Sequence, residues 1–246
     1  MFTDIHCHIL PGLDDGSGSF EESLDMARLA VRGMTGTIVC TPHTNVPFSY
    51  RNHWSPKMDG LVSQLSDALD RSKIPLTVYA GQEVFLDGEP ETLLKEGKII
   101  PINRSRYMLV EAEPTERSAS VYRKLEKLIS IGVTPVLAHP ERYRFVGEDP
   151  DAPGRLHAMG CVLQCNKGSF TGAFGRTIAR TAYRMLEERQ IDCIASDAHS
   201  PNVRTPFMRD VHEMICEEFS YDYADYLMSD TPRRIIENQR IVSFRL

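Results

Sequence analysis

The sequence predicts an α/β fold, a distorted TIM-like (β/α)7 barrel of about seven strands, from three observations. Short apolar runs rich in β-branched residues alternate with amphipathic helical segments. Side chains able to bind metal recur on or just after those runs, where barrels of alternating strands and helices carry their active sites. The length, 246 residues, is what such a barrel commonly occupies, and residues 1–246 read as one domain.

The first strand-like run spans Phe2 to Ile9, followed by a polar turn at Pro11-Gly-Leu-Asp14-Asp15-Gly16. Ser19 then caps a helix reaching Arg32, with Glu22 three residues on and Leu24, Ala27, Leu29 and Val31 as its apolar surface, and Gly33 stops it. Further strands are expected at Gly36 to Thr41, Leu76 to Phe85, Tyr107 to Glu113, Thr134 to His139, Cys161 to Asn166 and Ile191 to Ser196. Helices are expected at Lys57 to Arg71, Ala119 to Ile131, Arg176 to Arg189, and in a C-terminal group from about Pro206 to Gln239. Near-continuous apolar strands between amphipathic helices indicate a parallel sheet covered on its outside. No repeat, linker or low-complexity segment interrupts the pattern.

The formal net charge of −6 gives no global field favouring nucleic acid or an anionic membrane. The N-terminus lacks the pattern of a signal peptide, and no apolar run approaches the ~20 residues of a membrane span, so a cytoplasmic protein without membrane insertion is expected. Cys7, Cys40, Cys161, Cys165, Cys193 and Cys216 are scattered, five of them in apolar strand-like segments, and read as buried free thiols. None precedes the glycine-rich, arginine-ended loop that a cysteine-based phosphatase needs.

The chemistry lies in the strand ends. In His6-Cys7-His8 the imidazoles are two residues apart, leave the same face of an extended strand and converge on one ion; Asp197-Ala198-His199 repeats the spacing. His43, Glu83, Glu111 and His139 close the intervening strands, and Asp14 and Asp15 overhang the first. Any one of these read alone is an ordinary hydrogen-bonded residue. As a set, five imidazoles and several carboxylates on one rim are electrostatically awkward without cations between them. His53, His157 and His212 lie away from strand ends and are assigned structural roles; Glu141 reads equally as an orienting or a surface residue. Phe48, Tyr50 and Trp54, with Arg51 and His53 between them, form an aromatic cluster that suits either the approach to a substrate ring or ordinary packing.

Taken in order, Asp4-Ile-His-Cys-His-Ile-Leu-Pro-Gly-Leu-Asp-Asp-Gly16, Thr-Pro-His43, Glu83, Tyr107-Met-Leu-Val-Glu111, His139-Pro-Glu-Arg142 and Ser196-Asp-Ala-His199 resemble the polymerase and histidinol phosphatase (PHP) superfamily. Within it, they resemble the bacterial capsule and exopolysaccharide protein-tyrosine phosphatases, over essentially the whole chain. The resemblance implies a PHP fold and a trinuclear centre. His6, His8, Glu83 and Asp197 would hold one ion, Glu83 would bridge to a second held by Glu111 and His139, and Asp15, His43 and His199 would hold the third. Asp15 rather than Asp14 as ligand rests on a one-residue alignment. Mixed nitrogen and oxygen donors suit Mn²⁺, Fe²⁺, Co²⁺ or Zn²⁺, with Mn²⁺ favoured by family likeness. Arg142 and Arg204 match the family's phosphate-contacting arginines.

These readings give an expected mechanism, attack by a metal-bridging hydroxide on a phosphotyrosine monoester, with Asp197, Arg142 and Arg204 as catalytic residues. The expected partner is a bacterial tyrosine kinase of polysaccharide export. Rival readings are a histidinol-phosphate phosphatase, a PHP exonuclease, disfavoured for want of a basic stripe, and a metal-bound regulator without turnover.

Overall fold

The computed structural model describes residues 1–244. In chain order the strands are β1 (Phe2–Cys7), β2 (Thr35–Cys40), β3 (His43–Thr44), β4 (Thr77–Ala80), β5 (Glu83–Phe85), β6 (Tyr107–Glu111), β7 (Thr134–Ala138), β8 (Val162–Asn166) and β9 (Cys193–Ala195). The helices are α1 (Phe20–Arg32), α2 (Pro56–Arg71), α3 (Pro90–Lys95), α4 (Ser118–Ser130), α5 (Arg144–Glu148), α6 (Ala152–Met159), α7 (Lys167–Phe170), α8 (Arg176–Glu187), α9 (Arg209–Glu218), α10 (Tyr221–Asp225) and α11 (Thr231–Ile236). No described helix is long and apolar enough to cross a membrane.

All strand pairs are parallel, in the orders β1-β2-β4 and β3-β5-β6-β7-β8-β9. The second expected strand continues past Cys40 as β3, and the third is divided into β4 and β5. The breaks have local causes. Pro42 cannot donate to a ladder, and at Gly81 a Cβ would lie 2.7 Å from the Val39 side chain, so only glycine lets the two chains approach. Each of these strands therefore begins in one sheet and ends in the other, which joins the sheets into a single curved wall. A bridge between Cys7 and Ala198 ties the last strand back to the first, reinforced by His8 N–H to Ala198 O at 2.9 Å and Asp197 N–H to His6 O at 2.8 Å.

Alternation sorts the strand residues into two layers. Leu109, Val136, Ala138, Cys193 and Ala195 pack with Ile5 and Val39 in one cluster. Their neighbours Met108, Val110, Leu137, Leu163, Cys165 and Ile194 pack against Val121, Leu125 and Leu128 of α4 and Ala182, Met185 and Leu186 of α8. On β8, Gln164 and Asn166 share the face of Val162 but are polar and fully buried. Five cysteines are buried free thiols and Cys216 is partly exposed. Ser19 caps α1 by accepting the Glu22 N–H at 3.2 Å. The short helices α3, α5, α6 and α7 had no counterpart in the sequence reading, because helices of four to eight residues hold too few turns to show a 3.6-residue period.

Candidate metal centre

The strand ends and the turn after β1 bring all nine candidate ligands into one cluster, in which Asp15 is exposed, His43 and Glu111 are partly buried and the rest are buried. His6 is the penultimate residue of β1, with His8 just beyond its end; His43 opens β3, Glu83 opens β5 and Glu111 ends β6. His139 follows β7, Asp197 and His199 follow β9, and Asp15 reaches in from the turn after β1. His139 and Asp197 have left-handed backbones, with φ of 38° and 50°, a conformation that costs a non-glycine residue roughly 1–3 kcal/mol and concentrates at functional sites.

Glu83 is the hub. Its Oε2 lies 3.3 Å from Nε2 of both His6 and His8 and 2.9 Å from His43 Nδ1, while its Oε1 lies 3.1 Å from His139 Nε2. Glu111 faces His139 at 3.6 Å and His43 at 3.8 Å. Asp197 Oδ1 is 3.3 Å from His6 and 3.6 Å from His8. Asp15 Oδ1 is 3.5 Å from Nε2 of both His43 and His199. Three donor groups are close enough to share an ion: His8, Asp15, His43 and His199; His6, His8 and Glu83; and His43, Glu83 and Glu111. This partition differs from the one implied by family likeness: His8 and His43 each belong to two groups, and His139 and Asp197 belong to none. Asp14 is held apart from these groups: its Oδ2 lies 2.7 Å from His8 Nδ1 and accepts the His43 N–H at 2.8 Å.

The donors fit divalent cations. Glu83 Oε2, His43 Nδ1 and His199 Nε2 are buried without a hydrogen-bond partner, although each has an opposite group within 3.5 Å. Such atoms are close but misaligned, as expected of ligands aimed at a common point. The His6 and His8 Nε2 atoms face each other at 3.2 Å. Burial alone would lower the His6 pKa, yet the Glu83 and Asp197 carboxylates outweigh it and hold it at about 8. Burial and the Glu83 charge raise Glu111 to about 8, whereas burial lowers His139 to about 4. Burial would raise Glu83, but His6 and His43 keep it well below the usual carboxylate range. Neighbouring acids and bases with pKa values driven this far apart mark functional sites.

A supporting shell fixes the ligands, and its Gln164 and Asn166 are the members the sequence does not single out. Gln164 Oε1 lies 2.8 Å from His6 Nδ1, and its Nε2 donates to Asn166 Oδ1 at 2.9 Å; Asn166 in turn donates to Asp197 Oδ2. Asp4 Oδ1 accepts the N–H of His6 at 3.2 Å and of Ser196 at 3.0 Å, tying β1 to the segment that carries Asp197. Glu141 is buried, not a surface residue, and accepts from Asn166 N–H at 2.9 Å and Ser169 Oγ at 2.6 Å. The available signal was polarity: Gln164 and Asn166 are amides in a strand otherwise apolar, and a polar residue there implies a partner.

Arg204 donates to Asp197 Oδ2, and Arg142 Nη1 lies 3.8 Å from the same oxygen, so both guanidiniums border the cluster on its Asp197 side. The Phe174 ring lies beside both, 5.1 Å from Arg142 and 5.7 Å from Arg204. The aromatic cluster after His43 divides. Trp54 is buried with Met58 and Ile100, Tyr50 stacks on His43 with centroids 5.8 Å apart and planes 7° from parallel, and Phe48 is fully exposed. His157 and His212 lie outside the centre, on Asp192 at 2.8 Å and Asp225 at 3.0 Å.

Residues 2–237 match a family described as capsular polysaccharide synthesis, CpsB/CapC. The tyrosine-protein phosphatase YwqE of Bacillus subtilis (strain 168) is 34% identical over 238 residues, covering 97% of this chain and 92% of its own. The tyrosine-protein phosphatase CpsB of Streptococcus pneumoniae is 29% identical over 243 residues, covering 97% and 99%. A crystal structure from the pair YwqE of B. subtilis and CpsB of S. pneumoniae, described as unique metal-dependent tyrosine phosphatases, superposes with a TM-score of 0.91 at 33% identity, over 98% of this chain and 97% of that one. The lactonase Lmo2620 from Listeria monocytogenes, 13% identical with a TM-score of 0.61, shares the fold alone.

Proposed function

This chain belongs to the CpsB/CapC family of capsular polysaccharide synthesis, and on that premise we propose that it is a metal-dependent protein-tyrosine phosphatase. The observation that carries the reading is the Glu83 carboxylate held within 3.3 Å of four imidazoles, in a cluster edged by two arginines. The centre takes up to three divalent ions on His6, His8, Asp15, His43, Glu83, Glu111, His139, Asp197 and His199, a nitrogen and oxygen set without thiolate that suits Mn²⁺ and accepts Fe²⁺, Co²⁺ or Zn²⁺. When bound there, such ions supply Lewis acidity and a water-derived nucleophile at neutral pH.

The chain's own residues supply recognition and order. Arg142 and Arg204, each partly exposed, bind phosphate oxygens with their planar forks. Gln164 and Asn166 hold His6 and Asp197 in place, and strengthening of the arginine contacts as negative charge develops at phosphorus favours the transition state. A tyrosine leaving group, with a pKa of about 10, departs with less need of proton donation than an alkoxide, which matches a site whose carboxyls are committed to ligation.

The natural substrate on this reading is a phosphotyrosine-bearing protein, a tyrosine kinase of polysaccharide export acting in the cytoplasm, and residues 1–246 act as one catalytic domain. The deciding experiment is metal analysis of the purified protein together with Mn²⁺-dependent hydrolysis of a phosphotyrosyl peptide and of histidinol phosphate. Bound divalent ions and preference for the peptide are expected. Preference for histidinol phosphate would keep the centre and reassign the substrate.

A further inference from the structure

The turn Val46-Pro47-Phe48-Ser49 combines two properties that folding alone disfavours. Phe48 is fully exposed, forfeiting the burial that stabilises an aromatic side chain. Its backbone is also left-handed, with φ of 59°. Pro47 precedes it and Ser49 N–H donates to Val46 O at 3.3 Å, which makes Phe48 the third residue of a turn whose positive φ favours glycine or asparagine. Isolated exposed apolar residues are ordinary, but one held in a strained conformation is not.

The turn is held firmly. Val46 N–H donates to Tyr50 O at 2.9 Å and Asn45 N–H to Arg51 O at 3.1 Å. The Asn45 amide donates to Phe85 O and Asp87 O, each at 2.9 Å. Asn52 pins the far end through Leu13 O at 2.8 Å and His43 O at 2.9 Å. Two residues from Phe48, Tyr50 stacks on His43, so the turn is tied to the metal centre through Tyr50. Beside it lies a cavity of about 320 Å³ lined by Asn45, Pro47, Ser49, Arg51 and Asp87 among others.

We propose that Phe48 is a docking residue for the polypeptide flanking the substrate phosphotyrosine, packing against an apolar side chain while the adjoining polar cavity takes the peptide backbone. The proposal rests on the phosphatase reading and selects its substrate class, an extended phosphopeptide over a small aryl phosphate. Continuity with His43 favours this occupant over one remote from the reaction.

The test compares metal-loaded wild-type, Phe48→Ala and Phe48→Gly proteins on three substrates: p-nitrophenyl phosphate, a phosphotyrosyl peptide flanked by leucines, and the same peptide flanked by glycines. The expected result is a KM for the leucine peptide raised roughly three- to tenfold, the range of an aromatic contact residue, with its kcat and the other two substrates unchanged. Phe48→Gly should melt no lower than wild type, since glycine accepts the turn without strain. An unchanged leucine-peptide KM, an equal loss on all three substrates, or a changed sedimentation coefficient with unaltered KM would overturn the proposal, the last by assigning Phe48 to self-association. Failure of wild type on every substrate would instead count against the phosphatase reading.

Discussion

Gln164 Oε1 meets His6 Nδ1 at 2.8 Å across 158 residues of chain, and this contact decides which imidazole nitrogen serves the centre. The amide oxygen only accepts, so His6 keeps a proton on Nδ1, and Nε2, which faces Glu83 and Asp197, is the nitrogen left to bind metal once its own proton is lost. Partners of this kind are worth about 10–100-fold in metal affinity. Gln164→Leu should weaken Mn²⁺ binding by that amount, read by calorimetric titration of the metal-free protein. An unaltered dissociation constant would show that His6 is oriented by its other neighbours.

Arg142 borders the centre without being aimed at a ligand position, 3.8 Å from Asp197 and beside the Phe174 ring. Its loss should act on the phosphate and leave the metals in place. Arg142→Ala should lower kcat/KM for phosphotyrosyl peptide by roughly ten- to a hundredfold, the equivalent of about one charge-assisted hydrogen bond, with bound metal unchanged by elemental analysis. Loss of metal in step with activity would recast Arg142 as a support for Asp197.

What the sequence disclosed and what it hid divide on a physical line. The curved parallel wall and the gathering of His6, His8, Glu83, His139 and Asp197 were legible because alternation and strand-end position are local properties of the chain. The divisions at Pro42 and Gly81 were hidden, since the second depends on how closely Val39 approaches from another strand. Gln164 and Asn166 were passed over for a similar reason: their partners His6 and Asp197 are near only in space. Glu141 reads from the sequence as equally suited to the surface, yet it is buried against the junction of β8 and α7, whose Asn166 and Ser169 donate to it.

The centre should bind metal more tightly as pH rises toward about 8. His6 is held at about 8, above its ordinary 6.5, so its protonated form stabilises the metal-free fold below 6.5 and that contribution is lost as pH rises through 8. Glu111, raised from 4.5 to about 8, stabilises the fold as the neutral acid below 4.5 and loses that contribution over the same upper limit. Both must shed protons to become ligands. The gain in Tm on adding Mn²⁺ to chelator-treated protein should therefore be larger at about pH 8.5 than at about pH 6.5. His139, lowered to about 4, is deprotonated at both and adds nothing to the difference. An equal gain at the two values would mean that the ligands are already deprotonated at the lower pH.

Gly16 carries the turn that places Asp14 and Asp15 over β1, and its role is spatial. A Cβ there would lie 2.2 Å from His8 O and 2.4 Å from His8 Cβ, distances that neither backbone nor ligand can relieve without moving. The same turn is closed by Ser17 N–H to His8 O and Gly16 N–H to Asp14 Oδ1, both at 3.0 Å. Relief of the clash would draw His8 and both aspartates out of position together. Gly16→Ala should destabilise the fold by about 1–3 kcal/mol, the usual effect of overpacking, and weaken Mn²⁺ binding as well. Gly154→Ala is the matched control: within α6, a Cβ there would meet nothing within 4 Å, and alanine should leave the protein as stable or slightly more so. Urea melts and metal titrations of the two variants separate the explanations, because a Gly16→Ala protein that binds and melts like the control would mean that the turn shifts as a rigid unit without disturbing His8.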